Sequence, residues 1–448
     1  LVGGRRDAPA RQRTLRAAID WSYDLLEEDA RSFFRRLSVF TGGCTFEAAG
    51  EVADPHGELG DVMDLLDALL QHSLLLRDPD PGDARFRMLE TIREFGVERL
   101  EEIGEGDRVR ERHALRFVAL VEEAEPHLTG PEQRRWIEVL NREHDNLRAA
   151  LAWAIEADRG EIALRLGGAL WRFWYGQGFL AEGRRWLDSV LALPSSSERS
   201  LARVKGLTAL GGIAYWQNDF GPSDAAYVEA VDIVRELGDA GAMPETLFNM
   251  AMTKAVMGEP ERAMSLLEES LERARQLGDR RREAWALWGL SAGSMFGGDL
   301  DRAVTLSSET LRLFEEIRDD TWGLGNALAG QAGLAVMRGE PEVGRERVLQ
   351  ALEAWEDQGN ALVIASQLQF LGIAEIRLGR PERAVRLAGA SAILREKVGG
   401  KVPDAFFPFE DPHETAAKGR DPETLERLWT EGRAMSVHEA LAYARDET

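Results

Sequence analysis

Turn residues return along the chain at a nearly constant interval of 40 or 41 residues. They stand at Gly178, Asn218, Gly258, Gly298, Gly339 and Gly379. A small residue lies seven positions before five of these turns, at Gly211, Ala251, Ser291, Ala332 and Gly372. A fixed period of this length is typical of repeat proteins, in which each unit buries its apolar face against its neighbours. The interval therefore predicts an array of stacked units.

Each period contains a second turn, which leaves room for two helices of about four turns each. The second turns are Gly238-Asp239, Gly278-Asp279, Arg318-Asp319, Gly359-Asn360 and Gly399-Gly400. Between the turns, as in residues 261–271, apolar side chains recur every three to four positions, which indicates helices rather than strands. Each unit is therefore predicted to be an antiparallel helical hairpin.

The repeats resemble the tetratricopeptide repeat. Leu371-Gly372, Gly379-Arg380-Pro381 and Ala384 match its spacing, although the period here is longer than the usual 34 residues. The resemblance implies an all-α, right-handed superhelix of tetratricopeptide-like hairpins. We expect six hairpins over residues 161–400, with residues 401–448 forming capping helices at the end of the array.

The first hundred residues follow a different pattern. Residues 14–26, 29–39 and 61–71 are predicted helices, and residues 74–77 and 84–88 a hairpin around a polar turn, which together form a small winged helix. Three blocks, residues 14–26, 37–46 and 89–95, resemble the segment that follows the ATPase in STAND-type signalling ATPases, including LuxR-like transcriptional regulators.

That resemblance implies a winged helix between an upstream NTPase domain and a downstream sensor. The chain does not begin with Met, so we expect it to be a fragment of a longer protein. The predicted order begins with a linker from the missing upstream domain (residues 1–12), a winged-helix domain (13–103) and a helical linker (104–160). The repeats (161–400) and the capping helices (401–448) follow.

Charge and composition exclude several functions. The net charge of −23, and three acidic residues with no basic one over residues 61–70, disfavour direct nucleic-acid binding. With Cys44 as its one cysteine, the chain has neither an internal disulfide nor a multi-cysteine zinc site, and no apolar run is long enough to span a membrane. Gly400-Lys401 lacks the rest of a phosphate-binding loop. We expect a cytoplasmic protein without metal or cofactor.

One motif points to catalysis. Residues 289–293 read Gly-Leu-Ser-Ala-Gly, the pattern of a hydrolase nucleophile elbow. However, Ser291 stands at the small position of its repeat in the middle of a predicted helix, where packing explains it. We therefore predict no enzymatic activity, and a serine hydrolase that uses Ser291 is the less favoured alternative.

The repeats carry the positive signal for function. In the tetratricopeptide register the first helix of each hairpin lines the concave groove, and the groove positions are rich in aromatic residues and methionine. They are Tyr175, Tyr215, Trp216, Phe248, Met252, Trp285, Trp288, Met295, Phe296, Asn326, Met337, Gln369 and Arg377. Such side chains are typical binding anchors, although they equally suit packing between hairpins. We predict a sensor that binds an inducer or partner protein there, with a constitutive scaffold as the alternative.

Overall fold

The computed structural model describes residues 10–78, 84–318, 320–356, 361–398, 411–417 and 421–446. The helices found in these ranges are α1 (Ala10–Asp24), α2 (Glu28–Leu37), α3 (Phe46–Ala53), α4 (Val62–Gln71), α5 (Glu90–Glu102), α6 (Gly106–Ala124), α7 (Gln133–Arg142), α8 (His144–Glu156), α9 (Gly160–Gln177), α10 (Leu180–Leu191), α11 (Leu201–Trp216), α12 (Phe220–Leu237), α13 (Met243–Val256), α14 (Pro260–Leu277), α15 (Arg280–Phe296), α16 (Leu300–Ile317), α17 (Thr321–Met337), α18 (Pro341–Glu356), α19 (Ala361–Arg377), α20 (Pro381–Val398), α21 (Pro412–Ala417), α22 (Pro422–Arg433) and α23 (Val437–Arg445).

The chain forms two compact units. The first unit comprises Leu1–Glu123 and Val139–Leu166, and the second comprises Ala124–Glu138 and Gly167–Thr448. Two short 3-10 turns, Glu125–His127 and Pro194–Ser197, belong to the second unit. Within the described ranges, no helix combines the length and the apolar character needed to cross a membrane.

The first unit contains the predicted winged helix. Its strands β1 (Cys44–Thr45), β2 (Leu76–Arg77) and β3 (Arg85–Arg87) form an antiparallel sheet in the order β1-β3-β2. Tyr23 of α1 contacts two aromatic rings, Phe34 of α2 and Phe95 of α5, with centroid distances of 5.6 and 5.5 Å. Burial of these rings against one another joins the three helices.

Two features of this unit differ from the sequence prediction. The prediction lacks α3, an eight-residue helix that begins where the Thr45 side chain accepts a hydrogen bond from the Ala48 amide. The prediction also lacks strand β1, on which Cys44 pairs with Phe86. Both elements are too short for a periodic apolar pattern, and capping and cross-strand pairing stabilise them instead.

A buried polar cluster fixes the turn before β1. The Asn146 Oδ1 atom accepts the Thr41 amide at 2.7 Å, and Asn146 Nδ2 donates to the Gly43 carbonyl at 2.9 Å. Glu143 pairs with Arg85 of β3 and also accepts from Asn146 at 2.7 Å. Because these buried groups satisfy one another, α8 holds the turn and the sheet in one arrangement.

The second unit contains the repeats. In the described ranges the hairpins are α9–α10, α11–α12, α13–α14, α15–α16, α17–α18 and α19–α20. All six periodic turn residues, from Gly178 to Gly379, have positive φ between 58° and 85°. This left-handed conformation ends each first helix and favours Gly or Asn. The predicted all-α fold of tetratricopeptide-like hairpins behind a winged helix is confirmed.

The second turns follow the same rule where the structure describes them. Gly238, Gly278 and Arg318 also have positive φ, of 65°, 68° and 58°. Five further residues of the predicted second turns lie outside the described residues, namely Asp319, Gly359, Asn360, Gly399 and Gly400.

The small residue seven positions before five of the turns allows the two helices of a hairpin to approach closely. A Cβ on Gly211 of α11 would lie 2.7 Å from the Tyr227 ring on α12. The Ser223 hydroxyl of α12 donates to the Gly211 carbonyl at 2.9 Å. In the fourth hairpin Ser291 donates to the Ala303 carbonyl of α16, also at 2.9 Å. Ser291 therefore stabilises the crossing of α15 and α16.

Helices α22 and α23 pack on the last hairpin. Ala440, Leu441 and Ala444 of α23 are buried in one cluster with Leu387 and Leu394 of α20. A Cβ on Gly432 of α22 would clash with the backbone of α20, so α22 needs glycine there. The cap thus removes the apolar face of the last repeat from water.

Candidate functional site

The second unit encloses a cavity of about 820 Å³. The first helix of every hairpin contributes to its wall, together with residues between 125 and 133 that precede the repeats. Twelve of its lining residues are aromatic, namely Trp171, Tyr175, Tyr215, Trp216, Tyr227, Phe248, Trp285, Trp288, Phe296, Trp322, Trp355 and Phe370. The cavity is therefore mainly apolar and has the size of a small-molecule site.

Most of the groove residues predicted from the sequence lie on this wall. Ten of the thirteen line the cavity, namely Tyr175, Tyr215, Trp216, Phe248, Met252, Trp285, Trp288, Met295, Phe296 and Asn326. Helix register brings them together, because equivalent positions of stacked first helices face the same side.

The other three predicted residues do not line the cavity. Met337 and Arg377 are the last residues of α17 and α19, and both are exposed to solvent. The Gln369 side chain accepts a hydrogen bond from Arg395 of α20. The cavity wall therefore includes ten of the thirteen predicted groove residues, and Arg395 engages the Gln369 amide.

The central tryptophans are half-buried, so they both pack and line the cavity. The Trp285 ring contacts Phe248 at 5.8 Å, Trp288 at 5.7 Å and the buried Phe314 at 5.4 Å. The Trp288 Nε1 atom donates to the Asn326 carbonyl at 3.1 Å. This bond links the fourth and fifth hairpins and fixes the orientation of the Trp288 ring.

Sequence reasoning missed part of the wall. Trp171 and Trp322 lie at positions that the repeat register does not assign to the groove, and Trp355 belongs to a second helix. Residues between 125 and 133 carry no repeat signal. The one available sign was the number of tryptophans, which is twelve in the chain.

The segment before the repeats contacts the fifth hairpin directly. The Thr129 carbonyl accepts the Trp322 amide at 3.3 Å and the Thr321 hydroxyl at 3.4 Å, across 192 positions of sequence for the second bond. Next to it, the Tyr175 and Trp322 rings meet edge to face at 6.2 Å. The first and fifth hairpins therefore meet at one point of the cavity wall.

Three acidic side chains line the cavity, and each faces a basic partner. The pairs are Glu125 with Lys205 at 2.5 Å, Glu245 with Arg282 at 2.6 Å, and Asp320 with Arg281 at 3.7 Å. Burial raises the pKa of Glu125, and the hydrogen bond from Lys205 opposes that rise. Burial likewise raises the pKa of Asp320, while the Gly323 amide lowers it. These charges stabilise the wall.

Several buried polar atoms on the wall make no hydrogen bond within the described part of the chain. They are Gln133 Oε1, Gln367 Oε1 and Trp355 Nε1. A buried polar atom without a partner costs free energy, which a ligand or a water molecule recovers by binding there.

The chemistry of the wall favours binding. The Ser291 hydroxyl is engaged by the Ala303 carbonyl, and Ser291 lies inside a helix rather than on a strand-to-helix turn. Among the described residues, no group of three His, Cys, Asp or Glu side chains is placed to hold a metal ion. The arrangement can enclose an apolar molecule and orient it through a few polar groups.

Comparison with known proteins agrees with this architecture. Residues 26–101 match the family described as a winged helix-turn-helix domain. A Mycobacterium tuberculosis protein provisionally named an HTH-type transcriptional regulator is 35% identical over 259 residues, which cover 55% of this chain and 29% of that protein. An uncharacterized protein of the same organism is 30% identical over 115 residues, 25% of this chain and 29% of its own length. The chain thus spans less than a third of these relatives.

A solved structure shows a similar fold. A Rap protein complexed with Competence and Sporulation Factor has a TM-score of 0.52 at 14% identity, over 97% of this chain and 100% of that chain. A STAND protein with a tetratricopeptide repeat sensor from Pyrococcus horikoshii has a TM-score of 0.49 at 13% identity, over 96% and 66%. The chain carries a winged helix-turn-helix domain ahead of tetratricopeptide-like repeats, and it is similar in sequence to mycobacterial proteins provisionally named HTH-type transcriptional regulators.

Proposed function

We propose that this chain is a non-catalytic sensor of a transcriptional regulator and that it binds an inducer in the aromatic cavity of its repeats. The observation that carries this proposal is the 820 Å³ cavity, to which the first helix of every hairpin contributes. A site of this size encloses most of the surface of a drug-sized ligand. The Rap protein, which has a similar fold, was determined in complex with Competence and Sporulation Factor, and this supports ligand binding by such an array.

The same cavity suggests how binding is transmitted. Because all six hairpins contribute to the wall, a ligand contacts several hairpins at once and stabilises the arrangement in which they fit it best. A ligand at one hundred times its dissociation constant stabilises the bound state by about 2.7 kcal/mol. A ligand that binds only one of two arrangements therefore changes their ratio by about a hundredfold.

The parent protein is part of the proposal. The resemblance to STAND-type and LuxR-like regulators favours an upstream NTPase domain in a cytoplasmic protein, which would receive the signal through the winged helix. Helix α4, in the recognition position of the winged helix, carries acidic Asp64 and Asp67 and no basic residue, and Asp61 caps it. These charges favour a winged helix that contacts protein rather than DNA.

The test is a thermal-shift screen of the purified chain against a small-molecule metabolite library, followed by calorimetry on hits. Trp288→Ala removes a ring from the cavity wall, and Trp186→Ala, on α10 outside the cavity, is the matched control. We expect a hit to stabilise the wild type and the control but to bind Trp288→Ala at least about tenfold more weakly.

Equal binding to Trp288→Ala and to the wild type would place the site elsewhere. A screen without any stabilising molecule would favour the constitutive scaffold. Circular dichroism of both variants shows whether they keep the helical content of the wild type, and Trp288→Phe, which keeps a ring, replaces Trp288→Ala if that variant unfolds.

A further inference from the structure

We propose that the inducer carries a carboxylate on an apolar, aromatic body, and that Arg172 binds this carboxylate. The inference deepens the proposed function and rests on it, because it concerns the same cavity. Arg172 lies on α9 and lines the cavity wall.

Arg172 differs from the other two arginines of the cavity wall, Arg281 and Arg282, which pair with Asp320 and Glu245. In the described part of the chain it makes no hydrogen bond and no ion pair, and its one specific contact is with the Trp171 ring. The guanidinium carbon lies 4.4 Å from the centroid of that ring. A guanidinium that stacks on an aromatic face keeps its N–H groups free at its edge, where they match the two oxygens of a carboxylate.

The acidic residues of the cavity are neutralised by other bases. Glu125, which is close enough to feel the charge of Arg172, is bound instead by Lys205. Lys205 reaches it because Gly168 has no side chain, since a Cβ there would lie 2.6 Å from the Lys205 Cγ atom. The protein thus supplies a separate base for Glu125 and leaves Arg172 available.

The ring on which Arg172 stacks is held by packing against α11. A Cβ on Gly212 of α11 would lie 3.3 Å from the Trp171 ring, so the ring already fills the space beside α11. The charge of Arg172 also acts across the cavity, because it opposes the rise in pKa that burial causes at Asp320 and Glu125. An anionic group that enters the cavity is therefore attracted to the Arg172 guanidinium.

The size and composition of the wall define the rest of the ligand. One free guanidinium suits one carboxylate, whereas a phosphate with two charges is usually bound by several donors. The twelve aromatic residues that line the cavity with Arg172 favour an apolar body with a flat ring. A volume of about 820 Å³ suits a small molecule better than a protein segment.

The experiment uses matched test ligands on the full chain. Arylcarboxylates built on naphthalene, indole and biphenyl are each compared with the corresponding primary amide, which has the same shape but no charge, by calorimetry and by quenching of tryptophan fluorescence. We expect the wild type to prefer the carboxylate by about tenfold to a hundredfold, the range of a charge-assisted hydrogen bond.

Three variants complete the test. Arg172→Gln should bind acid and amide equally, and Arg172→Lys should keep part of the preference. Arg185→Gln, on an exposed position of α10 outside the cavity, should keep all of it and controls for net charge.

The outcomes separate the two proposals. If acids and amides bind the wild type equally, or if Arg172→Gln keeps the preference, the role of Arg172 is wrong while the cavity remains a binding site. If neither series binds at millimolar concentration, the assigned ligand class is wrong, and the library screen then decides whether the cavity binds anything. Fluorescence spectra and circular dichroism establish that each variant is folded.

Discussion

Replacing each of two glycines of α17 with alanine tests how tightly the cavity wall is packed. Gly325 and Gly330 both lie inside this helix with ordinary helical φ, and both gain about 1 kcal/mol of helix propensity from alanine. Their surroundings differ. A Cβ on Gly325 would lie 2.5 Å from Nε1 of the fully buried Trp355, whereas a Cβ on Gly330 would lie 3.7 Å from Nε1 of Trp288.

These distances set the expected effects on the free energy of unfolding. A separation of 3.7 Å is ordinary van der Waals contact, so Gly330→Ala should stabilise the second unit by about 1 kcal/mol. At 2.5 Å the Trp355 ring must move within a packed cluster, and such overpacking costs about 1–3 kcal/mol. Since the propensity gain is common to both variants, Gly325→Ala should be less stable than Gly330→Ala by about 1–3 kcal/mol.

Urea unfolding followed by tryptophan fluorescence measures this difference. Ten of the twelve tryptophans belong to the second unit, so the signal reports mainly on the repeats. Circular dichroism without urea controls for unchanged helical content. If the two variants unfold at the same urea concentration, or if Gly325→Ala is the more stable, the close packing of Gly325 and Trp355 is not the reason for glycine at this position.

Three further predictions concern ionisable groups. Burial raises the pKa of Cys44 to about 12, so iodoacetamide at pH 8 should label Cys44 in the unfolded but not in the native protein. Burial lowers the pKa of His113 to about 4, so between pH 6.5 and pH 4 the unfolded state binds one more proton and the free energy of unfolding should fall by about 1.4 kcal/mol per pH unit. In urea titrations His113→Phe should flatten this slope, and an unchanged slope would contradict the prediction. Lys205→Met should raise the pKa of Glu125 further, and it should lower the free energy of unfolding by about 1 kcal/mol at pH 8. The loss should be smaller at pH 4.5, because protonation of Glu125 removes the unpaired charge, and an equal loss at both pH values would refute this.

The repeat fold was predictable from sequence because its backbone demands specific residues. A left-handed turn every 40 residues selects Gly or Asn, and the close crossing of two helices selects a small residue such as Gly211. Helix α3 was not predictable in this way. It is stabilised locally by the Thr45 cap and by burial of Ala48 and Val52, and eight residues are too few to show a helical period.

The site was predictable only as far as it follows the repeat. Trp285 and Trp288 were found because they occupy inward positions of a first helix. Arg172 was not found, because its importance depends on which acids Lys205 and other bases already neutralise, and pairing between distant side chains leaves no local pattern. Thr129 was missed for the same reason, since its partners lie almost two hundred positions away.

The contact between Thr129 and Trp322 changes how the array can deform. In an array whose repeats contact only their neighbours, small changes at each interface add up along the array, so a longer array is more flexible. Here the hydrogen bond from the Trp322 amide to Thr129 joins the segment before the repeats to the fifth hairpin, so the intervening hairpins form a closed loop. Such a loop widens at one hairpin only if the other hairpins are strained or the hydrogen bond between Trp322 and Thr129 breaks. Exchange of the Trp322 amide proton with deuterium therefore measures how often the loop opens, and a bound ligand should slow it by the factor with which it favours the closed state.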